Sequence, residues 1–163
     1  MKEKITGILL MLLVFASSSL QAEVIDRVAA FVDNEAITLS ELEESFKKNA
    51  AVEPGITRSE ALNTIINRTL LLREAKKLRM EARDEETLLR EYIDLKVRAF
   101  IRIRESDIEA FYKKNNKEFK GLKLGEVKEK IETYLREKKV NQSLRHHIES
   151  LKAGSQIKIL YEP

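Results

Sequence analysis

Residues 24–44, VIDRVAAFVDNEAITLSELEE, form the stretch around which the rest of the chain is arranged. Along 28–32 the side chains alternate in character with the two-residue period of a half-buried β-strand. Asp33-Asn34 then offers two residues that tolerate a positive φ, as a tight hairpin turn requires. Residues 36–38 make a short return strand. The stretch therefore predicts a β-hairpin, and because a lone hairpin is only marginally stable in water, a third strand or a helix must cover it.

The third strand is predicted at the far end of the chain. Residues 156–161, QIKILY, alternate Ile157, Ile159 and Tyr161 with Gln156, Lys158 and Leu160. Gly154 precedes this stretch and is a natural residue to end a helix. We expect the C-terminal strand to pair with the hairpin, which would make residues 23–163 a single domain.

Between these strands the apolar residues recur with helical spacing. The predicted helices cover about 38–50, 57–80, 84–103, 106–119 and 124–152. Three of them begin at the spacing of a capping box, formed by Thr38 with Glu41, Thr57 with Glu60 and Ser106 with Glu109. The second helix has the widest apolar face and is predicted to be the central core helix. The expected fold class is therefore mostly α with a small β-sheet: about five helices, and three strands from the hairpin and the C-terminus.

The first 22 residues have the layout of a cleaved secretory signal. Lys2 and Lys4 precede an apolar run from Ile5 to Phe15, and SSSLQA leads to Ala22. A membrane-spanning helix needs about 17–25 apolar residues, so this run is too short for an anchor. We expect cleavage after residue 22, a periplasmic location for the mature chain and no stable membrane insertion.

The composition excludes several classes of protein. The 30 basic and 27 acidic residues are interspersed, whereas a nucleic-acid-binding protein would show a stripe of one sign. We therefore expect no nucleic-acid partner. The chain has no Cys, which excludes disulfides and thiolate metal sites.

No stretch has the pattern of an active site or a cofactor site. His146 and His147 are adjacent, and neighbouring residues on a helix do not face the same way, so they cannot chelate one ion together. No glycine-rich phosphate loop or nucleophile elbow is present in the sequence. We expect no catalytic residues, no metal and no cofactor, with the histidines solvated or at the rim of the core.

Because no active site is predicted, apolar residues in the second half of the mature chain are the remaining candidates for a binding site. The candidates are Phe100, Ile103, Phe111, Tyr112, Phe119 and Tyr134. In one interpretation they belong to the core, and in the other some of them line an open groove between helices that takes apolar peptide segments. The long helix also has a polar gap at Lys138 and Asn141, so a second copy of the chain could cover part of it.

Three stretches carry a resemblance to a known family. They are VIDRVAAFVDNEAITLSELEES (24–45), ALNTIINRTLLLREAKKLRMEARDEE (61–86) and ESDIEAFYKKNNKEF (105–119). In this order they resemble the N-terminal domain of SurA-type periplasmic chaperones, which also occurs in PrsA- and PpiC-type foldases. GEVKEKIETYLREKKVNQSLRHHIESLKAGSQIKIL (125–160) is similar to the segment that returns to this domain after the family's parvulin isomerase domain.

The chain departs from the family at the seam formed by residues 113–125. Family members place the parvulin domain there, whereas KGLKL (120–124) alone joins the two flanking segments here. The resemblance therefore implies a chaperone module without prolyl isomerase activity. Such a module binds unfolded exported chains without ATP, and outer-membrane protein precursors are the expected clients.

Two other functions remain as alternatives to the chaperone. One is a helical adaptor that forms a homodimer, by exchange of the long helix, and binds one folded partner. The other, which the missing domain disfavours, is a prolyl isomerase.

Overall fold

The computed structural model describes residues 26–162, so the signal predicted at 1–22 lies outside the described residues. The strands are β1 (Val28–Val32), β2 (Glu35–Thr38) and β3 (Ile157–Ile159), and the helices are α1 (Leu39–Ala50), α2 (Arg58–Lys77), α3 (Glu85–Lys96), α4 (Glu105–Lys114) and α5 (Leu124–Ala153). Two short 3-10 turns, Arg98–Phe100 and Asn116–Phe119, follow α3 and α4. The predicted fold class, mostly α with a three-stranded sheet, is confirmed.

The sheet joins the two ends of the described chain. Its order is β2-β1-β3 and both pairings are antiparallel, with Val32 opposite Glu35 on one side and Ile157 on the other. The predicted pairing of the C-terminal strand with the hairpin is therefore confirmed. Strand β3 is shorter than the predicted 156–161, because the amides of Leu160 and Tyr161 both donate to the carbonyl of Ala29 and interrupt the ladder.

Strand β1 is central and more buried than a half-buried strand. Ala29, Ala30 and Val32 are all buried, so both faces of β1 are covered near its middle. A register irregularity lies between Val28 and Ala30. The predicted simple alternation is therefore wrong for this strand, and its two small alanines allow close packing on both faces.

Helices α1 and α2 begin as the capping boxes predict. The Thr38 hydroxyl accepts the amide of Glu41, and the Thr57 hydroxyl accepts the amide of Glu60, each at 3.2 Å. In return each glutamate carboxylate accepts the backbone amide of its threonine at 2.7 Å. These bonds satisfy amides that have no partner within the helix.

Helix α2 is the central core helix, as predicted. Its buried residues Leu62, Ile66 and Leu70 pack in one cluster with the sheet and α1. One residue further round, Leu71, Leu72 and Ala75 pack in a second cluster with α3 and the end of α5. Full burial of a Leu or Ile side chain contributes about 1.5–3 kcal/mol to the stability of the folded state. Because α2 has buried side chains in both clusters, it stabilises both.

The third predicted helix, at 84–103, is too long. Helix α3 ends at Lys96 because Val97 has φ −122° and ψ −63°, outside helical geometry, and turns its side chain into the interior. Arg98 then pairs with Glu137 of α5 at 2.9 Å. The chain continues in a 3-10 turn and an extended stretch that runs to Arg104.

Helix α4 begins two residues before the predicted capping box. Arg104 is the N-cap residue, and its backbone amide donates to the carboxylate of Asp107 at 3.3 Å. The predicted box of Ser106 with Glu109 is therefore wrong, since Ser106 already lies inside the helix. Asn115 ends α4, and the remaining residues of the predicted helix form the second 3-10 turn.

Helix α5 has the predicted extent and is about 45 Å long at 1.5 Å per residue. Its first half buries Val127 and Ile131 in a third cluster with α4. Its second half adds Leu144, Ile148 and Leu151 to the cluster formed with α2 and α3. Within residues 26–162, no helix has both the length and the apolar character that crossing a membrane requires.

Candidate functional site

The six candidate residues have different environments in the structure. Ile103, Phe111, Tyr112 and Phe119 are half-buried and pack against the buried cluster of α4 and α5, which consists of Ile108, Val127 and Ile131. Tyr134 is 52% exposed and Phe100 is 74% exposed. The core interpretation therefore accounts for part of the surface of four candidates and leaves the other two in solvent.

The aromatic rings near the end of α4 are in contact with one another. The ring centroid of Phe111 lies 5.2 Å from that of Tyr134 and 6.4 Å from that of Phe119. Tyr112 stacks on Phe119 with 5.3 Å between centroids, and its hydroxyl donates to the carbonyl of Leu122 at 2.7 Å. Tyr112 thus holds the loop after α4 in place, while Phe111 and Tyr134 form a bridge between the two helices.

A hollow of about 500 Å³ opens beside these rings, between the end of α4 and the first half of α5. We call it the α4–α5 hollow. It is lined by Phe111, Lys114, Asn115, Glu118, Phe119, Lys130, Ile131, Tyr134 and Lys138. Its apolar lining consists of three aromatic rings and one isoleucine, which suits the binding of apolar side chains.

A second hollow of about 620 Å³ continues along α5. It shares Tyr134 and Lys138 with the α4–α5 hollow, and its other lining residues are Glu137, Asn141, Gln142 and Arg145. The polar gap predicted at Lys138 and Asn141 therefore lies in this second hollow. Together the two hollows form a trough along one face of α5, with the aromatic rings of Phe111 and Phe119 at one end and Asn141, Gln142 and Arg145 at the other.

The structure brings three of the six candidates together at the hollow. Phe111, Phe119 and Tyr134 line it, whereas Ile103 and Tyr112 pack behind it and Phe100 lines neither hollow. The sequence interpretation missed the lysines of the lining. Lys130, Tyr134 and Lys138 recur every four residues and so share one face of α5, a signal that was present in the sequence.

An ion-pair network holds α4 against α5 beside the hollow. The carboxylate of Asp107 bonds to Arg104 and to Lys139, at 3.1 Å each, and Lys139 also donates to the carbonyl of Arg102. The hydrogen bond from Arg104, followed by that from Lys139, holds the pKa of Asp107 down at about 2. Asp107 therefore stays ionised at neutral pH and ties the start of α4 to the middle of α5.

The two histidines differ in their environment. His146 is exposed, while Nε2 of His147 lies 2.8 Å from the hydroxyl of buried Tyr92. Within residues 26–162, no three His, Asp or Glu side chains are grouped closely enough to hold a metal ion.

The chain matches no protein-family model and no curated protein.

Proposed function

We propose that the chain is a periplasmic chaperone module that holds unfolded exported polypeptides without ATP. The α4–α5 hollow takes apolar side chains of the client, and outer-membrane protein precursors are the client class. The module has no enzymatic activity in this proposal.

The observation that carries the proposal is the half-open aromatic lining of the hollow. Phe111 and Phe119 bury one side against the α4–α5 cluster and turn the other toward the hollow, where Tyr134 is half exposed. Aromatic rings that are already held by packing lose little side-chain freedom when a client binds. Exposed apolar surface on an otherwise charged body supports transient binding of apolar segments.

The resemblance to SurA-type chaperones supports the same function. The hairpin, the two capped helices that follow it and the returning C-terminal strand occur here in the order that the resemblance implies. Nine residues, 115–123, connect α4 with α5 where the family carries its isomerase domain. No positions of this chain correspond to isomerase catalytic residues, so that activity is not proposed.

The test is an aggregation assay with protein purified after export and an unfolded outer-membrane protein as client. At near-stoichiometric ratios, light scattering from the diluted client should rise more slowly than without the protein. No protection at a several-fold excess would contradict the proposal.

Two matched variants locate the activity. Tyr134→Ser removes a half-exposed ring from the hollow, and Leu95→Ser removes an apolar side chain of similar exposure, 51%, from α3. We expect Tyr134→Ser to weaken protection and Leu95→Ser to retain it, with both variants folded by circular dichroism. Equal effects of the two variants would place the binding surface elsewhere.

Exposed apolar residues outside the trough favour the dimeric adaptor as a second candidate function. Leu95 and Phe100, at the end of α3 and in the following turn, are 51% and 74% exposed. An adaptor would form a dimer in solution and capture one dominant partner from a periplasmic extract, whereas a chaperone would capture many clients. Light scattering for the solution mass and a pull-down separate the two functions.

A prolyl-peptide isomerisation assay tests the absence of enzymatic activity. We expect the rate of isomerisation to equal the uncatalysed rate. Catalysis above background that persists after further purification would contradict this part of the proposal.

A further inference from the structure

We propose that the α4–α5 hollow selects unfolded segments in which a short apolar stretch is flanked on both sides by aspartate or glutamate. This inference rests on the proposed function, because it specifies which client segments the hollow holds.

The charged residues of the lining are mostly basic. Lys114, Lys130 and Lys138 surround the apolar residues, and Glu118 is the single carboxylate of the lining. Arg145 extends the positive charge into the second hollow, where Glu137 is already paired with Arg98 at 2.9 Å. The α4–α5 hollow therefore presents positive charge around an apolar floor.

Within the part of the chain that the structure describes, the three lysines of the hollow take part in no ion pair. Among residues 26–162, none of them has a carboxylate within 4.0 Å. Basic residues on other faces of the same helix are paired, as shown by Lys128 with Glu105 at 2.8 Å and Arg136 with Glu132 at 2.6 Å. The lysines that face the hollow are thus available to carboxylates of a bound segment.

The positions of the lysines set the length of the selected segment. Lys130 and Lys138 are two four-residue steps apart on α5, which is about 12 Å along the helix axis. An extended chain covers this distance in about four residue steps. A stretch of three apolar residues with one carboxylate at each end places the two carboxylates four steps, about 13 Å, apart and on the same face of the segment, near the two lysines. Its central apolar side chain lies on that same face and would meet Phe111, Phe119 and Tyr134.

The concave shape favours a polypeptide over a membrane as the occupant. Ile131 forms part of the floor and is buried, and Tyr134 stands at the boundary of the two hollows. A flat lipid surface cannot reach such a floor, whereas the side chains of an extended segment can. The test must therefore distinguish binding of a peptide from binding of the protein to anionic vesicles.

The experiment compares three labelled peptides that differ only in the residues flanking one three-residue apolar stretch: Glu, Gln or Lys. Binding to the full exported protein is measured by fluorescence anisotropy at several salt concentrations. We expect the Glu-flanked peptide to bind about fivefold tighter than the Gln-flanked one, equivalent to about 1 kcal/mol, and the Lys-flanked peptide to bind most weakly. The preference should shrink with salt, because charges near the surface are screened over about 8 Å at physiological ionic strength. A fourth peptide with the glutamates moved eight residues apart should lose most of the advantage.

Matched variants assign the preference to the hollow. Lys114→Gln, Lys130→Gln and Lys138→Gln are combined in one protein, and the control combines Lys47→Gln, Lys96→Gln and Lys158→Gln, which change the net charge equally at exposed positions outside both hollows. The hollow variant should bind the Glu- and Gln-flanked peptides equally, and the control should keep the preference.

Any of four other results would contradict the inference, each for a different reason. Equal binding of the Glu- and Gln-flanked peptides would leave the proposed function standing and refute the selection for acidic flanks. A preference that survives in the hollow variant would place the charge recognition elsewhere. Binding to vesicles of phosphatidylglycerol that needs the same lysines, without any preference among peptides, would favour a membrane partner. No binding of any peptide, together with no protection in the aggregation assay, would refute the proposed function as well.

Discussion

Arg73 interrupts the apolar face of α2, and its contacts explain why a charge lies there. Its guanidinium donates to the carboxylate of Asp33 in the hairpin turn and to the hydroxyl of Ser155 at 2.7 Å. Asp33, held at a positive φ of 53°, also accepts the amide of Gln156 at 2.7 Å. One side chain therefore links the hairpin turn, the core helix and the start of the C-terminal strand.

Arg73→Gln should lower the free energy of unfolding by about 1–3 kcal/mol, because it leaves charge-assisted hydrogen bonds of Asp33 and Ser155 unmade. Urea denaturation followed by circular dichroism measures the change. The control is Arg136→Gln, which removes an exposed pair within α5 and should change stability by less than about 0.5 kcal/mol. A loss no larger than that of the control would show that the Arg73 contacts do not stabilise the fold.

Tyr92 and His147 form a second contact between distant residues. Burial raises the pKa of Tyr92 to about 12, so its hydroxyl remains protonated at neutral pH. Burial, with a smaller contribution from the charge of Lys96, lowers the pKa of His147, whereas Glu74 opposes this shift. The neutral imidazole is therefore favoured in the folded chain, and with its proton on Nδ1 it accepts the hydrogen bond of Tyr92 through Nε2.

This pair predicts a loss of stability in mildly acidic solution. Unfolded His147 takes up a proton near its ordinary pKa of about 6.5, whereas the folded chain resists protonation until a lower pH. The stabilisation is complete above about pH 6.5 and falls as the pH drops toward the folded pKa. Melting temperatures measured from pH 8 to pH 5 should therefore fall, and His147→Gln should make the fall shallower. Exposed His146→Gln should leave the slope unchanged, and equal slopes for both variants would refute the role of His147.

At the scale of elements, the capping boxes decide where the first two helices begin. Thr57 and Glu60 satisfy two amides at the start of α2, which is the helix that contributes to two of the buried clusters. Because both residues are exposed, their contribution comes from these hydrogen bonds and not from packing.

Thr57→Ala should destabilise the chain by about 1 kcal/mol, since a helix N-cap residue without a side-chain acceptor leaves an amide unsatisfied. Thr57→Ser keeps the hydroxyl and should restore most of the stability. Thr133→Ala, in the exposed middle of α5, should change stability little or raise it slightly. Chemical denaturation measures all three, and an unchanged midpoint for Thr57→Ala would contradict the importance of the cap.

At the scale of the whole molecule, the buried side chains form clusters of unequal size. The sheet, α1 and α2 bury nine residues in one cluster, whereas the cluster of α4 and the first half of α5 buries three. The cost of opening a region grows with the apolar area that opening exposes. The α4–α5 hollow therefore lies on the part of the molecule that is less firmly held.

Hydrogen exchange should reveal this difference. We expect the amides of α4 to exchange faster than those of α2 under native conditions, because α4 opens without disrupting the larger cluster. Binding of a Glu-flanked peptide should slow exchange in α4 more than in α2. Equal protection of the two helices in the free protein would show that the chain opens only as one unit.

The hairpin, the capped starts of α1 and α2, the extent of α5 and the returning strand could be predicted from the sequence. Each depends on residues close together in the chain: a turn pair, a threonine three positions before a glutamate, or a repeated apolar spacing. The helix break at Val97 could not be predicted in this way, because it accompanies the burial of Val97 and the pairing of Arg98 with Glu137 of α5. The start of α4 at Arg104 was missed although its bond to Asp107 is local, because Ser106 with Glu109 offered a competing capping box.

The candidate site, too, could be predicted from the sequence only in part. Sequence reasoning identified Phe111, Phe119 and Tyr134 because aromatic residues stand out among charged neighbours. The packing of α4 against α5 decides which side of each ring is covered. It also places the lysines around the open side. Local patterns determine secondary structure because their hydrogen bonds close within a few residues, whereas exposure depends on which distant elements come into contact.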